Sequence, residues 1–378
     1  MKIPIAKPYL TKDEAQYAYD TILTNWVTQG PKVQEFEEKF AAYTGARYAV
    51  ALSNCTTALH LAMIVAGIKE GDEVICPSLS YIATANSITY VGAVPVFSEV
   101  EPGTYNLDPV HAESLITAKT KAILLVHQIG LPANLDAFRR LCEKHGLKLI
   151  EDAACAAGSA YKGQKIGAGS ELVCFSFHPR KVITTGDGGM ITTSSEAHYN
   201  RLRLLRQHGM SVNDRIRHQS DKVIMEEHLE IGYNYRLTDI QAAVGIKQLE
   251  KLDWLIAERT KIALAYLEAF KNIPGIRLPV VPPDGVTNWQ SFSVYLLPSC
   301  PVPRNELMQL LLDKGISTRR GVMTSHRELA YRHMPLRCTL PVSENECDNS
   351  IILPLFVPMK QEEIDYVISS FRECLKKV

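Results

Sequence analysis

Phe175-Ser176-Phe177-His178-Pro179-Arg180-Lys181-Val182-Ile183-Thr184-Thr185-Gly186-Asp187-Gly188-Gly189 joins an apolar run to a glycine-rich return. The run, Leu172 to Phe177, ends in hydroxyl, imidazole and amine groups. Glycines accept φ > 0 and let backbone approach closely, so such a turn can fold tightly against something bound. An amine held there can form a Schiff base with an aldehyde cofactor, provided the site keeps it from staying a hydrated ammonium. An exposed lysine on a loop after a strand has the same local sequence. The choice between the two rests on the surrounding chain.

Short β-rich apolar runs alternate with helical patterns through the first two thirds. The runs are Tyr48–Ser53, Glu73–Pro77, Val94–Val100, Lys121–Gln128, Leu147–Ala153, Leu172–Phe177 and Gly189–Thr193. Helical stretches lie at Thr57–Gly67, Tyr81–Tyr90, Pro109–Ile116 and Asn134–His145. This alternation implies right-handed crossovers and a largely parallel sheet covered on both faces. The seventh run follows the sixth without an intervening helix, so it is expected to be antiparallel. Thr238 to about Lys271 reads as one long helical stretch, weakly interrupted near Gly245. Pro274, Pro279, Pro282, Pro283 and Gly285 then mark a change of domain. We expect a large domain over 1–255 and a small C-terminal α+β domain over 256–378. The small domain should hold a strand at Ser291–Leu297 and helices at Arg304–Lys314 and Gln361–Lys376.

A chain of 378 residues can bury a large core. Its 41 basic and 41 acidic residues cancel and form no block, which speaks against a nucleic-acid surface or a polybasic membrane contact. The nine cysteines are scattered and contain no CxxC pair, so neither a disulfide framework nor a metal site is expected. No apolar run reaches bilayer length and Met1 to Pro8 does not resemble a signal sequence. A cytoplasmic protein without membrane insertion is expected.

Ligands of open parallel sheets sit beyond the carboxyl ends of the strands, and four segments fall there. Ser53-Asn54-Cys55-Thr56-Thr57 runs from a strand directly into a helix, whose unpaired amides suit a phosphate or are simply capped. No Walker A or G-x-G-x-x-G pattern occurs, so ATP and dinucleotides are poorly supported. Tyr81, after the second run, can lie on an aromatic ring or be a half-buried helix residue. Asp152 ends an apolar strand, where an unpaired carboxylate is costly. A protonated pyridine nitrogen would satisfy it and keep the ring an electron sink, through a charge-assisted bond of about 1.5–3 kcal/mol. Fourth is the lysine segment, with Ser176 placed to reach a phosphate. Together they match pyridoxal 5′-phosphate: phosphate cradle, ring stacker, pyridinium partner and Schiff-base lysine.

At this level the chain resembles the DegT/StrS-type sugar aminotransferases, of the aspartate-aminotransferase fold (fold type I). The resemblance rests on Asn25-Trp26-Val27-Thr28-Gln29-Gly30-Pro31, Ser53–Leu61, Gly71–Ile75, Ser78–Asn86, Glu151–Ala154 and Ser176–Gly189. Gly232-Tyr233-Asn234-Tyr235-Arg236-Leu237 and His326-Arg327-Glu328 complete it. It implies an α/β large domain with a seven-stranded, mostly parallel sheet beside the small domain. It also implies that Lys181 holds the cofactor and moves the proton, that Asp152 pairs with the pyridine nitrogen and that Tyr81 covers the ring. Thr56, Thr57 and Ser176 would bind the phosphate. Asn234 would reach the cofactor phosphate of a neighbouring subunit, making a homodimer with shared sites.

The implied reaction moves an amino group from L-glutamate, released as 2-oxoglutarate, to a nucleotide-linked keto-sugar by way of pyridoxamine 5′-phosphate. C4 of a 4-keto-6-deoxy hexose is the expected acceptor, for deoxyamino-sugar or bacterial surface polysaccharide synthesis. As acid–base catalyst, Lys181 should have its pKa lowered by desolvation and cationic neighbours. Arg319, Arg320 and His326 would bind the diphosphate, or form an exposed basic loop; His178 would line the site or turn the strand. Three departures stand out: Cys155 where many relatives have Gln or His, Cys55 where many have Gly, and Asn134 where Asp is common. Relatives with histidine in place of the lysine are dehydratases, whereas Lys181 is present here. An amino-cyclitol transaminase, a dehydratase and a non-catalytic protein of the same fold are the other readings.

Overall fold

A computed structural model describes residues 1–212 and 221–376. Its first strands are β1 (Tyr48–Leu52), β2 (Glu73–Pro77), β3 (Val94–Ser98), β4 (Thr120–Val126) and β5 (Lys148–Asp152). A short hairpin, β6 (Ala160–Tyr161) and β7 (Gln164–Lys165), precedes β8 (Val173–Ser176) and β9 (Gly189–Thr193). Seven of them form one sheet, in the order β1-β9-β8-β5-β4-β2-β3. From β3 to β8 all pairings are parallel, while β9 runs antiparallel to both β8 and β1, as expected from the missing crossover helix. The expected strands all form, most of them one or two residues shorter.

Side chains alternate between the two faces of each strand, and two cores result. Phe175 and Phe177 join Phe36, Phe40 and Phe138 on one face. Cys174 and Leu52 join Leu59, Leu61, Leu202 and Leu205 on the other. The first face is covered by α2 (Pro31–Thr44) and α6 (Leu135–His145), the second by α3 (Cys55–Val65) and α7 (Glu196–Leu205). Two further helices, α4 (Ala83–Thr89) and α5 (Pro109–Ser114), follow β2 and β3, and α1 (Lys12–Leu23) packs near the N-terminus.

The long helical stretch divides, but not where glycine suggested. It forms α8 (Asp239–Glu250) and α9 (Leu252–Phe270), with the break at Lys251 (φ −101°, ψ −4°). Gly245 lies inside α8 because of packing: a Cβ there would come 2.8 Å from the Phe36 ring and 2.9 Å from Thr185. The expected seam between 255 and 256 falls within α9.

Beyond α9, β10 (Ile276–Arg277), β11 (Gly285–Val286), β12 (Phe292–Leu296), β13 (Arg319–Arg320) and β14 (Ser350–Leu353) alternate with α10 (Arg304–Asp313), α11 (Pro341–Asn349) and α12 (Gln361–Leu375). A four-stranded antiparallel sheet has the order β10-β12-β14-β13, while β11 reaches back to pair with β6. The chain's first residues belong with this part: Ile3 bridges Ile316, and its amide donates to the Gly315 carbonyl at 2.9 Å. Among the described residues, no helix is long and apolar enough to cross a membrane.

Candidate active site

Asp152 and Lys181 come together because β5 and β8 are neighbouring parallel strands, with Asp152 opposite Cys174. Asp152 ends β5 and is 5% exposed. Its Oδ1 accepts from the Ala154 amide and its Oδ2 from the Thr84 hydroxyl, each at 3.0 Å. Burial pushes its carboxyl above the usual range, although these donors and the charge on Lys181 oppose that shift. Thr84, in α4, was not singled out from the sequence. The available signal was its place three residues after Tyr81, within the turn of a helix that starts beyond a strand end.

Lys181 lies in the return between β8 and β9. Its amide donates to the His178 carbonyl at 2.8 Å, while Phe177 exchanges hydrogen bonds with Gly188 and Thr185 to close the loop. The lysine Nζ donates to Cys155 Sγ at 3.2 Å. Burial pulls the ammonium down, but the thiols of Cys155 and Cys55 and the Asp152 carboxylate outweigh it, so the net shift is upward. This overturns the expectation of a lowered value set by cationic neighbours. The groups facing the amine are acidic. His178 is half-buried, its Nδ1 accepts from the Arg180 amide at 3.2 Å, and burial with nearby Arg180 lowers its pKa.

Gly189 joins this loop to the start of α3. It pairs with Ser176 on one side and Leu52 on the other. A Cβ on Gly189 would lie 2.4 Å from the Asn54 carbonyl, so only glycine lets the two backbones meet. Ser176 is thereby brought beside the α3 N-terminus. There Asn54 caps the helix, accepting from the Thr57 amide at 2.9 Å, and the Thr57 hydroxyl donates to the Asn54 carbonyl at 2.7 Å. Capping and an anion site coexist. The Cys55 and Thr56 amides precede the first helical hydrogen bonds and have no acceptor among the described residues.

Tyr81 is 64% exposed, between β2 and α4. Asn234 is also exposed, with its Oδ1 accepting from Arg236 Nε at 3.2 Å. Its neighbour Tyr235 accepts from the Ser53 amide at 2.9 Å, which sets the segment against the entrance to α3.

The small-domain candidates sit differently. Arg319 and Arg320 form β13 with exposed side chains, and Arg320 pairs with Glu328 at 3.4 Å. His326 is buried, 6% exposed, with Nδ1 at 2.5 Å from Ser78 Oγ and Nε2 at 3.0 Å from Glu344 Oε1. Both ring nitrogens are occupied, so the ring has no hydrogen-bonding position left for a diphosphate. It tethers the small domain to the loop after β2, alongside a Ser325 amide donating to the Ser78 carbonyl at 2.8 Å. A cleft lined by Gln29, Glu37, Arg47, Tyr199, Arg203 and Arg206 includes none of the groups above.

The family model described as the DegT/DnrJ/EryC1/StrS aminotransferase family matches residues 8–372. DesV from S. venezuelae is 34% identical with a TM-score of 0.92, the match covering 100% of this chain and 99% of that one. Spr1654 from Streptococcus pneumoniae, in its PMP-form, is 28% identical with a TM-score of 0.94, covering 100% of both chains. PseC from Helicobacter pylori, an aminotransferase involved in the biosynthesis of pseudoaminic acid, is 26% identical with a TM-score of 0.93 and 100% coverage of both. The fold is the expected fold type I arrangement.

Proposed function

The chain belongs to the DegT/DnrJ/EryC1/StrS aminotransferase family, and from that premise we propose a transaminase that uses pyridoxal 5′-phosphate. Its donor is L-glutamate and its acceptor a nucleotide-linked keto-sugar, aminated at C4 of a 4-keto-6-deoxy hexose. The cofactor reading is supported by Spr1654, solved in both a PLP-form and a PMP-form, the two states that such a transfer needs. The sugar reading is supported by PseC and its part in pseudoaminic acid biosynthesis.

The residues present fit the cofactor. A buried carboxylate with one donor on each oxygen can accept more, since its two oxygens offer about four lone-pair sites. The Cys55 and Thr56 amides, without an acceptor among the described residues, and the hydroxyls of Thr56 and Ser176 gather at one helix start, and the backbone contact at Gly189 holds them there. When bound, the cofactor supplies an aldehyde to carry the amino group and a ring that takes up electrons.

In this reading Lys181 Nζ holds the cofactor and, when free, takes and returns the proton at the reacting carbon. The carboxylate of Asp152 holds the proton on the ring nitrogen, with Thr84 and the Ala154 amide fixing its orientation. Pairing Asp152 with that cation weakens one of the influences that raise Lys181, so the amine loses its proton more readily in the loaded site. Thr56, Thr57 and Ser176 bind the phosphate, and Tyr81 covers the ring face. Asn234 reaches the phosphate held by a second copy in a homodimer. Arg319 and Arg320 meet the substrate diphosphate, with His178 at the edge of the site.

The observation that carries this reading is a half-buried amine in the loop after β8 beside a buried carboxylate at the end of neighbouring β5, whose oxygens accept one hydrogen bond each among the described residues. Borohydride reduction of the loaded protein followed by peptide mapping should place a pyridoxyl tag on Lys181. Adding L-glutamate should release 2-oxoglutarate, and a panel of nucleotide-linked keto-sugars should then reverse the spectral change for one acceptor. A tag elsewhere, or none, overturns the reading.

A further inference from the structure

Two side chains with no part in the reaction above, Asn288 and Gln290, converge on the backbone flanking Cys155 and Lys181. Asn288 is 0% exposed, and its Nδ2 donates to the carbonyls of Cys155 at 2.8 Å and Ala157 at 2.9 Å. Its Oδ1 accepts from the Gln290 amide at 2.9 Å. Gln290 Nε2 donates to the carbonyl of Arg180, the residue before Lys181, at 3.0 Å. Residues 288–290 thus form a strap with one hand on each member of the thiol–amine pair.

The strap is held in an unfavourable shape. Trp289 is buried with φ +51°, a left-handed conformation that bulky side chains avoid unless their surroundings impose it. Arg259, buried in α9, imposes it: Nε donates to the Trp289 carbonyl at 2.8 Å and Nη2 to the Gln290 carbonyl at 2.6 Å. Among the described residues no carboxylate pairs with this guanidinium. Burying a cation against neutral carbonyls is costly, which makes it a poor choice for anchoring an ordinary loop. On the far side, Gly130 makes room for Asn288, since a Cβ there would lie 2.0 Å from the Asn288 Oδ1. Ser159 links the two, its hydroxyl accepting from the Asn288 amide at 3.1 Å and donating to the Gly130 carbonyl at 2.7 Å.

We infer that Asn288 and Gln290 are positioning residues for the Cys155–Lys181 pair, with Arg259 locking the strap that carries them. Its bearing on the bound cofactor rests on Lys181 being the cofactor-bearing amine, whereas the hold on Cys155 rests on the hydrogen bonds alone. Asn288 fixes the Cys155 backbone and hence where the thiol meets Nζ. Gln290 fixes the peptide that leads into Lys181. Neither touches the reacting atoms.

The test uses Asn288→Ala and Gln290→Leu in the full chain, the second keeping the protein folded because Gln290 is only half-buried. Two readouts are taken: the pH midpoint of the absorbance of cofactor bound at Lys181, and the alkylation rate of Cys155 in cofactor-free protein. Half-buried Cys300 serves as the internal standard. Both variants should move the midpoint by about half a unit or more, the scale of one lost hydrogen bond. Asn288→Ala should also speed Cys155 labelling roughly fivefold relative to Cys300. A midpoint in the folded variants indistinguishable from wild type overturns the inference, whatever happens to the melting temperature. A wild-type protein that takes no tag at Lys181 sinks the proposed function instead. In that case an unchanged Cys155 rate in Asn288→Ala overturns the strap as well, and a raised rate leaves it standing.

Discussion

Asp152 and His326 are buried to almost the same degree, 5% and 6% exposed, and both bond to the short stretch 78–84. His326 does so through Ser78 and Asp152 through Thr84. Their hydrogen-bonding capacities differ. A neutral imidazole has one donor and one acceptor nitrogen, and in His326 both are taken, by Ser78 and Glu344. A carboxylate can accept about four hydrogen bonds, and Asp152 has one on each oxygen. The saturated group is a tether. The unsaturated one can still receive a ligand.

The sharpest break with that comparison would come at the amine beside Asp152. Lys181→Ala should abolish the borohydride tag and slow amino transfer by roughly 10²–10⁴-fold, the range for a lost general base. A variant retaining wild-type turnover would place the chemistry elsewhere.

Next comes Asp152→Asn. Loss of a charge-assisted bond of about 1.5–3 kcal/mol should weaken cofactor binding roughly 10–100-fold, measured by equilibrium dialysis. The cofactor-free protein should respond in the opposite sense. Burial raises the folded pKa of Asp152 above its unfolded value near 3.8. Its contribution to stability is therefore full below that unfolded value and is lost as pH rises through the folded one. At neutral pH the ionised carboxylate is a net cost, so Asp152→Asn should melt at or above wild type without cofactor. That gain should shrink as pH falls toward the acidic end. A cofactor-free variant that melts lower at neutral pH would show the carboxylate to be a structural group like His326.

His326→Ala should do the reverse. Leaving Ser78 and Glu344 without their partner should cost about 1–3 kcal/mol of stability by denaturant melts, with little change in cofactor affinity. If affinity falls while stability holds, the contrast between tether and ligand site is wrong. The smallest effect is expected at Arg319→Ala with Arg320→Ala. These exposed side chains should change stability by no more than about 0.5 kcal/mol while raising KM for the sugar substrate. An unchanged KM would remove them from the diphosphate site.

The sheet was legible because its strands are nearly continuous apolar runs, the pattern of a parallel sheet buried on both faces. Their ends then pointed to Asp152, Ser176 and Lys181 through the joint occurrence of all four segments, each of which has an ordinary reading by itself. The helix break was misjudged because a mid-helix glycine reads as a weak point, whereas Gly245 is there to admit the Phe36 ring and Thr185. Thr84 escaped notice as an ordinary helical threonine, and Asn288 as a polar residue in a proline-rich stretch. Each acquires its role from a partner far away: Asp152 lies 68 residues from Thr84, and Cys155 lies 133 residues from Asn288.

What the chain's own order of residues determined is the alternation of strands and helices, and with it the line of strand ends where amine, carboxylate and hydroxyls collect. That follows from local periodicity and needs no knowledge of distant neighbours. Only the folded molecule decided which of the buried polar groups stay open to a ligand, and that acidic rather than cationic groups face Lys181. Hydrogen-bond saturation and electrostatic environment depend on which groups close packing brings within about 3 Å, and Ser78 and His326 meet across 248 residues of chain.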